Sequence, residues 1–577
     1  MSGRHYQREL VRLREESREF ALAWPALAPA LGEPSADPDA ERLLEGIAFK
    51  IGLLRDKLEA DFPEVVNEMM GRLFPHYARH LPASTVIAFT LQPPATDSRI
   101  IPAGTLIHSV PVQGTTCAFS TTRDVELHPL HITGVTHGRL SAREWEIRLS
   151  LSLAGLPLRT WRARKINLYL SGDRISAADL FLCLNRHLKA IVIAPETGGT
   201  SFLLPPGLLR PVGFDADATL FPYPPHAFPG YRLLQEYFAF SDKFLFFDLG
   251  GLEQWQDRGE GSRFCITFQL EGPATGPIPV RRDSFTLSAV PAVNLFPHEA
   301  DPILLDHRAT ASLLRPSGPD PSHYQIFSVD SVTGITRSTG RERDYAPFDL
   351  FRAQSRETPV YQTMPGKSAV HAGFDIYLSA AWPKEISPAE DETLSIQLTC
   401  SNGTLPEGLH TGDVTRLSSQ LMDTVSARNI APINPGTFPP PPPELGDRFS
   451  THLLLSCLSL ASIDILPSLL ELYLFSGNRS GASVGANRKR IAGIRTVTAM
   501  PCHRWVRGMP LSGREILVKA RGDHFGGPGD LYLFGCVLER FLAQCAEPNT
   551  FTMLTLEETL KGGVYQWPPR LGRKPLL

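Results

Sequence analysis

Residues 513–556 read GREILVKARGDHFGGPGDLYLFGCVLERFLAQCAEPNTFTMLTL, and they carry the clearest succession of structural signals in the chain. The β-branched and apolar run 514–520 predicts a strand. A glycine-rich turn follows at 526–529, and Asp530 then stands where a helix N-cap is expected. The run 549–554 predicts a second strand. We therefore predict a strand–loop–helix–strand unit in this stretch.

The predicted helix has one broad apolar face. Its apolar residues recur at helical spacing, and they are Leu531, Phe534, Val537, Leu538, Phe541, Leu542 and Cys545. A face of this width is buried against a sheet or against a partner.

The glycine-rich turn does not have the residues of a phosphate-binding loop. A P-loop requires Lys and then Ser or Thr directly after its second glycine, to reach the phosphates and Mg²⁺. Pro528, Gly529 and Asp530 occupy those places. An aspartate at a helix N-terminus repels an anion. The turn is therefore interpreted as a chain reversal before a capped helix.

Length and composition indicate a globular protein of several domains. A chain of 577 residues predicts roughly three or four domains. Its 51 prolines and 46 glycines favour short strands and loops over a helical bundle. The net charge of −3 argues against a protein built to wrap nucleic acid.

Cysteine usage and the N-terminus indicate a cytoplasmic protein. None of the eight cysteines forms a C-x-x-C pair, so neither a disulfide framework nor a zinc-finger pattern is present. Residues 1–20 are densely charged, unlike a secretory signal. The apolar run 453–475 is interrupted by Asp464, Pro467 and Glu471, which disfavours a membrane span. Two buried helices are expected there, with Pro467 in the first turn of the second.

The first segment, 1–82, is predicted to be helical. Tyr6, Leu10, Leu13, Ser17, Phe20 and Trp24 form a coiled-coil-like seam, and the same spacing recurs at Leu44, Ile47, Ile51, Leu54 and Leu58. The second helix is apolar on more than one side, which implies more than one neighbour. Packing within the chain and packing against a partner helix both remain open.

The centre of the chain is predicted to form two β-rich domains, 83–296 and 297–437. Period-two or apolar runs between glycines and prolines predict strands at 86–89, 105–107, 144–149, 166–170, 264–268, 284–287, 324–329, 375–378 and 394–398, and a helix at 176–188. Sandwich or barrel-like architecture is expected. The proline run within 438–447 predicts a stiff linker to a C-terminal α+β domain, 448–577.

Residues 222–225 and 244–247 are rich in proline and aromatic residues. They are interpreted as core and loop packing, with a ligand groove as the alternative.

No stretch carries a recognisable catalytic motif. His298, Glu299, Asp301, Asp306 and His307 fit neither H-E-x-x-H nor an EF-hand loop. The adjacent pair Cys502 and His503 carries little weight, because catalytic Cys/His pairs meet in space. Asp523 and His524 are interpreted as a hydrogen-bonded loop pair. The cluster Arg488, Lys489 and Arg490, with Arg479 and Arg495 nearby, indicates a solvated loop or an acidic protein partner rather than nucleic acid.

Ten short motifs, in order along the chain, resemble the TssF family (also called VasA or ImpG) of the type VI secretion system. They are 5–10, 18–20, 42–46, 74–77, 101–105, 294–296, 328–334, 513–518, 529–535 and 567–570. Two departures are Ser456-Cys457, where the family pattern has Ser-His, and the proline run 439–443.

The resemblance implies a structural protein without catalytic residues, cofactor or metal. TssF-like proteins join TssG to form the wedge of a phage-like baseplate, and TssK connects the wedge to the membrane complex. Further TssF copies, sheath and tube, spike and TssE-like components are the other expected partners. The expected location is the cytoplasm, at the inner face of the cytoplasmic membrane when the baseplate is docked. The expected fold is multidomain α+β, related to phage wedge proteins.

Obligate interfaces are large and apolar, so surplus apolar faces are candidate contacts. The predicted interface residues are Tyr6, Leu10, Leu13, Phe20, Leu44, Ile47, Ile51, Leu54, Phe534, Val537, Leu538 and Phe541. The alternative function is a phage-tail-like β protein that binds or hydrolyses a ligand.

Overall fold

The structure, a computed structural model, describes part of the chain in detail. The described residues are 10, 45–46, 49–50, 69–71, 73–93, 97–141, 143–224, 227–272, 279–305, 310–349, 358–367, 374–382, 391–417, 423–438, 448, 451–452, 462, 465–475, 481–506 and 509–572.

The chain divides into two units. One consists of Met1–Arg72 with Pro441–Phe449, and the other of Leu73–Pro440 with Ser450–Leu577. The described residues of the first unit are all helical. Leu10 is half-buried there, whereas Phe49 is exposed. The other predicted interface residues of this unit, and most of the linker 438–447, lie outside the described residues.

The described helices of the second unit are few. They are α1 (Pro75–Ala78), α2 (Arg174–Arg186), α3 (Pro229–Phe240), α4 (Ile465–Leu472), α5 (Gly481–Ala492) and α6 (Pro528–Cys545). Helix α2 begins after Asp173, whose carboxylate accepts a hydrogen bond from the Ser176 backbone N–H at 3.2 Å. This confirms the helix predicted at 176–188. Pro467 lies in the first turn of α4, as predicted.

Strands dominate the second unit. Those in its first half are β1 (Ser84–Leu91), β2 (Arg99–Ile101), β3 (Leu106–Val112), β4 (Thr115–Thr121), β5 (Val125–Leu127), β6 (Leu130–Arg139), β7 (Glu144–Leu153), β8 (Ile166–Leu170), β9 (Leu188–Pro195), β10 (Phe202–Leu204), β11 (Leu209–Val212), β12 (Phe246–Leu249), β13 (Arg263–Glu271), β14 (Phe285–Leu287) and β15 (Ala289–Val293). Those in its second half are β16 (Phe296–Glu299), β17 (Ile303–Leu305), β18 (Ser312–Leu314), β19 (Gln325–Thr336), β20 (Glu342–Pro347), β21 (Val360–Lys367), β22 (Phe374–Ala381), β23 (Glu392–Ser401), β24 (Val414–Leu417), β25 (Val425–Asn429), β26 (Ile494–Val506), β27 (Met509–Ala520), β28 (Phe551–Glu558), β29 (Val564–Gln566) and β30 (Arg570–Leu571).

These strands form six sheets. Their orders are β24-β3-β4-β15-β1-β25, β10-β9-β13-β7-β6, β11-β12-β8-β14, β16-β23-β19-β20-β21-β22-β18 with β17 beside β23, β2-β5, and β26-β27-β28-β29 with β30 beside β28. The pairings described are antiparallel except β20 with β21 and β27 with β28. The molecule is thus β-rich with few described helices, as the proline and glycine content predicts.

The six-stranded sheet crosses the predicted domain boundary at 296. Strand β24 pairs with β3, and β25 pairs with β1, so the chain returns from the predicted second β domain to complete the sheet of the first. The core of this sheet includes Ile87, Phe119, Val290, Val414 and Ala427, contributed from both sides of that boundary. Strand order in space, which has no local sequence signature, therefore overrides the sequence-based division.

The predicted strand–loop–helix–strand unit is present at 509–558. Strands β27 and β28 are parallel, with Gly513 opposite Phe551 and Ala520 opposite Glu558. Helix α6 forms the crossover between them. Parallel neighbours require such a crossover, because a tight turn can join only antiparallel strands.

Candidate interaction surface

Helix α6 is capped by a residue from another helix. The Gly529 backbone N–H donates to Asp179 Oδ1 of α2 at 2.7 Å, and Gly527 at the N-cap has no side chain to serve this purpose. Asp530 is not the N-cap predicted from the sequence. It lies inside the first turn, where its carboxylate accepts from the Gly526 N–H at 3.0 Å. Proline at the first helical position moves the start of the helix ahead of Asp530.

Asp530 forms a buried ion pair with Arg490 of α5. Arg490 Nε lies 2.8 Å from Asp530 Oδ2, and Arg490 Nη1 donates to Asn487 Oδ1 at 2.6 Å. Both members of the pair are buried. The basic cluster predicted as one surface feature is therefore divided: Arg490 is internal, whereas Arg488, Lys489 and Arg495 are exposed. Arg479 lies outside the described residues.

Two glycines of α6 let other parts of the chain pack closely against the helix. A Cβ on Gly529 would lie 2.2 Å from the backbone of Ala178 in α2. A Cβ on Gly535 would lie 2.3 Å from the indole of Trp567, which stacks on Tyr532 with ring centroids 5.3 Å apart. Both glycines belong to the motif 529–535, and Trp567 opens the motif 567–570. These motifs are therefore explained by packing within the chain.

The four α6 residues predicted at a partner interface belong to the chain's own core. Phe534, Val537, Leu538 and Phe541 are each 0% exposed. The Phe534 ring contacts Tyr237 of α3, with ring centroids 5.7 Å apart. They leave no surface for a partner, so this part of the interface prediction is corrected. Helices α2 and α3, which are distant from α6 in sequence, cover this apolar face. The spacing of apolar residues in α6 does not show which element covers it.

A buried cluster of histidine and tyrosine joins three distant segments. His76 Nε2 and His452 Nε2 lie 3.0 and 2.8 Å from the hydroxyl of Tyr473, and Tyr77 donates to the Leu472 carbonyl at 2.7 Å. Burial holds the pKa of His76 well below its usual value and lowers the pKa of His452 to about 3. Sequence reasoning found the 74–77 motif but not its partners, because 397 positions separate His76 from Tyr473.

A second buried polar group lies beside α3. Lys243 Nζ contacts Glu236 and also donates to the Ala218 carbonyl at 2.7 Å, while the Leu220 N–H donates to Glu236 Oε1 at 2.7 Å. Burial lowers the pKa of Lys243 to about 8, although Glu236 opposes this effect. These bonds tie the 218–220 loop to α3. Phe244, Leu245, Phe246 and Phe247 nearby are also buried, as the core interpretation of 244–247 predicts.

The residues considered for catalysis or metal binding do not converge. His298 bonds to the Ser317 carbonyl at 2.7 Å and stacks on Tyr324, while Glu299 and Asp301 are exposed. Asp306 and His307 lie outside the described residues. His503 Nδ1 lies 3.2 Å from Ser512 Oγ rather than beside Cys502. Within the described ranges, no three His, Cys, Asp or Glu residues are placed to hold a metal ion.

The hydrogen bond predicted between Asp523 and His524 is not formed. Asp523 pairs with Arg521, and His524 Nδ1 lies 2.8 Å from the Lys489 carbonyl. Lys489 belongs to α5, so His524 is bound by a residue distant in sequence.

The hairpin of β26 and β27 carries the most exposed large apolar side chain found in the described residues. Trp505 is 76% exposed, and Met500 on the same strand is 58% exposed. Sequence reasoning missed this surface, since Cys502 and His503 were considered only for catalysis. A tryptophan directly after Arg504, in a stretch without acidic residues, was the available signal.

None of the helices within the described ranges combines the length and apolar character needed to cross a membrane.

Comparison with known proteins agrees with the resemblance found in the sequence. The family model "Type VI secretion system, TssF" matches residues 2–574. A relative named "Type VI secretion system component TssF1", from Pseudomonas aeruginosa PAO1, is 28% identical over 638 aligned residues and covers 99% of both chains.

Two solved structures are also similar. A chain from a cryo-electron microscopy structure of the TssK-TssF-TssG baseplate subcomplex is 30% identical with a TM-score of 0.78, and the match covers 93% of this chain and 99% of that one. A chain from a structure of the type VI secretion system baseplate complex is 26% identical with a TM-score of 0.62, and the match covers 99% of this chain and 100% of that one. The chain therefore belongs to the TssF family of the type VI secretion system.

Proposed function

We propose that this protein is a non-catalytic structural subunit of a type VI secretion baseplate, where it joins TssG and TssK in a wedge. The observation that carries the proposal is that the TssF family model matches nearly the whole chain, which is also similar to a chain of a TssK-TssF-TssG subcomplex. Further TssF copies, TssE-like proteins, spike, tube and sheath are the other proposed partners. The proposed location is the cytoplasm, at the inner face of the cytoplasmic membrane when the baseplate is docked.

The fold is consistent with a structural role in an assembly. Its described side chains with strongly shifted pKa values, such as His76, His452 and Lys243, are engaged in bonds within the core. A cavity of about 190 Å³ lies beside Ser171, Asp173 and Arg281. Small-molecule sites are usually clefts of roughly 300–1,000 Å³ with mostly apolar walls. This cavity therefore does not favour the alternative of a ligand-binding or hydrolytic β protein. Kinship with phage wedge proteins remains part of the proposal.

The N-terminal seams are proposed to contact partner helices in the wedge. Tyr6, Leu10, Leu13 and Phe20 form one seam, and Leu44, Ile47, Ile51 and Leu54 form the other. Their support is the apolar spacing, which suits helix pairing across an interface.

Co-expression tests the function. The full chain, tagged, is expressed with and without TssG and TssK from the same system. We expect a stoichiometric complex with them, and a poorly soluble or heterogeneous chain without them. A stable monomer that ignores both proteins and binds a sugar would instead support the alternative.

Substitution tests the seams within the same assay. Leu44→Asp with Ile51→Asp should prevent co-purification, because each places a charge in an apolar contact. Glu45→Ala, at an exposed helical position between them, is the matched control and should co-purify normally. Normal assembly of the double variant would remove these seams from the interface.

A further inference from the structure

The β26–β27 hairpin extends past its own sheet. Strand β28 pairs with β27 only from Gly513 to Ala520. The β27 residues before Gly513 pair with β26 alone, in four pairs from His503 opposite Ser512 to Val506 opposite Met509. Four residue pairs span about 13 Å. We call residues 501–506 and 509–514 the distal arm.

One face of the distal arm is exposed along its whole length. Directly opposed residues of an antiparallel pair, and residues two apart on one strand, share a face. The exposed residues on this face are Pro501, His503, Trp505, Pro510, Ser512 and Arg514. Closer to the body, Ile516 on the same face is buried. On this face, exposure therefore begins at Arg514, which pairs with Thr552 one residue before the pairing with β28 ends.

The distal arm is basic in an acidic chain. Its residues include His503, Arg504 and Arg514, and no aspartate or glutamate. The whole chain has a net charge of −3. Arg504 and Arg514 are exposed. Arg514 shares the face of Trp505 and Arg504 lies on the opposite face, so both faces of the distal arm carry positive charge.

An isolated two-stranded ribbon gains little stability from its own pairing. Leaving an indole in water gives up the large apolar burial that tryptophan provides. Tryptophan and arginine are the residues enriched where protein interfaces concentrate their binding energy. A ribbon that presents both, on a subunit of an assembly, is suited to insertion into a neighbouring protein.

We propose that the distal arm docks into another protein of the baseplate, on a surface that is acidic and has an apolar pocket for Trp505. The proposal rests on the proposed function, since it takes the partner from the TssK–TssG part of the complex. Arg504 and Arg514 would pair with carboxylates at the rim, where charge governs the association rate and salt dependence. Trp505 would supply the buried contact. A lipid surface fits less well, because the arm presents a single exposed aromatic side chain among polar and proline residues.

The experiment co-expresses the full chain with TssK and TssG from the same system and measures how the purified complex dissociates on dilution. Binding is measured at low and high salt for the wild type, Trp505→Ala, Trp505→Phe, and the double variant Arg504→Glu with Arg514→Glu. Leu203→Ala is the matched control, because Leu203 is 64% exposed but belongs to the short strand β10 in a different sheet. Circular dichroism and the thermal midpoint check that each variant is folded.

We expect Trp505→Ala to weaken binding about 30-fold or more, the effect typical of a central interface tryptophan. Trp505→Phe should recover part of the affinity. The charge-reversal variant should bind more weakly and lose most of the salt dependence. A photo-crosslinking amino acid at position 505 should join the chain to TssK or TssG beside acidic residues. Leu203→Ala should bind as the wild type does.

Several outcomes would overturn the proposal. Wild-type affinity in Trp505→Ala would do so while leaving the proposed function intact. Failure of the wild type to bind TssK–TssG would instead overturn the function itself. If Trp505→Ala abolished only self-association in sedimentation velocity, the occupant would be a second copy. If it abolished only binding to anionic vesicles of phosphatidylglycerol and phosphatidylethanolamine, the occupant would be a membrane.

Discussion

The side chains of Asn294 and Asn402 hydrogen-bond to each other where two sheets meet. Asn294 Nδ2 donates to Asn402 Oδ1 at 2.9 Å and to the Ala118 carbonyl at 2.8 Å, and the Asn402 N–H donates to Asn294 Oδ1 at 2.7 Å. Ala118 lies in β4 of the six-stranded sheet, while Asn402 directly follows β23 of the eight-stranded sheet. Both amides are buried, at 0% and 1% exposure. The motif 294–296 therefore has a structural reason.

Replacing Asn294 with alanine should destabilise the protein by about 2–4 kcal/mol, because it leaves the Asn402 amide and the Ala118 carbonyl buried with fewer partners. Chemical denaturation monitored by fluorescence measures the change. Gln254→Ala, at an exposed site, is the control and should leave the midpoint in place. An unchanged midpoint in Asn294→Ala would contradict the role given to this pair.

Replacing Arg490 with methionine should cost about 3 kcal/mol, because the Asp530 carboxylate stays buried without its main counter-charge. Adding Asp530→Asn should recover at least half of the loss, since a neutral amide oxygen can still accept from the Gly526 N–H. Thermal midpoints of the single and double variants measure the recovery. Arg521→Met, in an exposed pair with Asp523, should leave the midpoint unchanged. Additive losses in the double variant would argue against the ion pair.

Two matched glycine substitutions should have opposite signs. Gly535→Ala places a Cβ 2.3 Å from the Trp567 ring, so it should destabilise the protein by about 1–3 kcal/mol. Gly485→Ala lies in α5 with no atom within 4 Å of the new Cβ, so it should stabilise the helix by about 0.5–1 kcal/mol. Thermal unfolding of both variants decides the matter. A neutral Gly535→Ala would show that Trp567 can move away without loss.

Acidification should destabilise the protein below about pH 6.5, the ordinary pKa of histidine. Burial lowers the pKa values of His76, His80 and His452 in the folded state, with about 3 for His80 and His452. The unfolded chain then binds more protons than the folded one as the pH falls. The contribution of these neutral histidines to the free energy of unfolding is therefore complete above pH 6.5 and decreases below it. Each of the two residues with a pKa of about 3 should cost about 2 kcal/mol at pH 5.

The thermal midpoint between pH 7.5 and pH 5 measures this dependence. His452→Gln should flatten the slope, because one titrating group is removed while a side chain able to bond to Tyr473 remains. A variant that keeps the full slope would assign the pH dependence to other groups.

The sequence by itself determined the local elements and the family. The strand at 514–520, the helix after the glycine turn, the helix at 176–188 and the preference for strands all follow from spacing and turn chemistry, which act over a few residues. Ten motifs in order along the chain are enough to indicate the TssF family.

The tertiary structure alone decided which apolar faces are covered and which are free. Phe534 and its neighbours have the spacing of an interface, yet α2 and α3 bury them, and an amphipathic pattern cannot distinguish these two fates. Strands β24 and β25 join the six-stranded sheet, which also contains β1 and β3. The local sequence does not show this, because long-range packing determines which strands pair. Trp505 lies on the part of the β26–β27 hairpin beyond Gly513, where the pairing with β28 ends, and only the strand register of the assembled sheet defines that point.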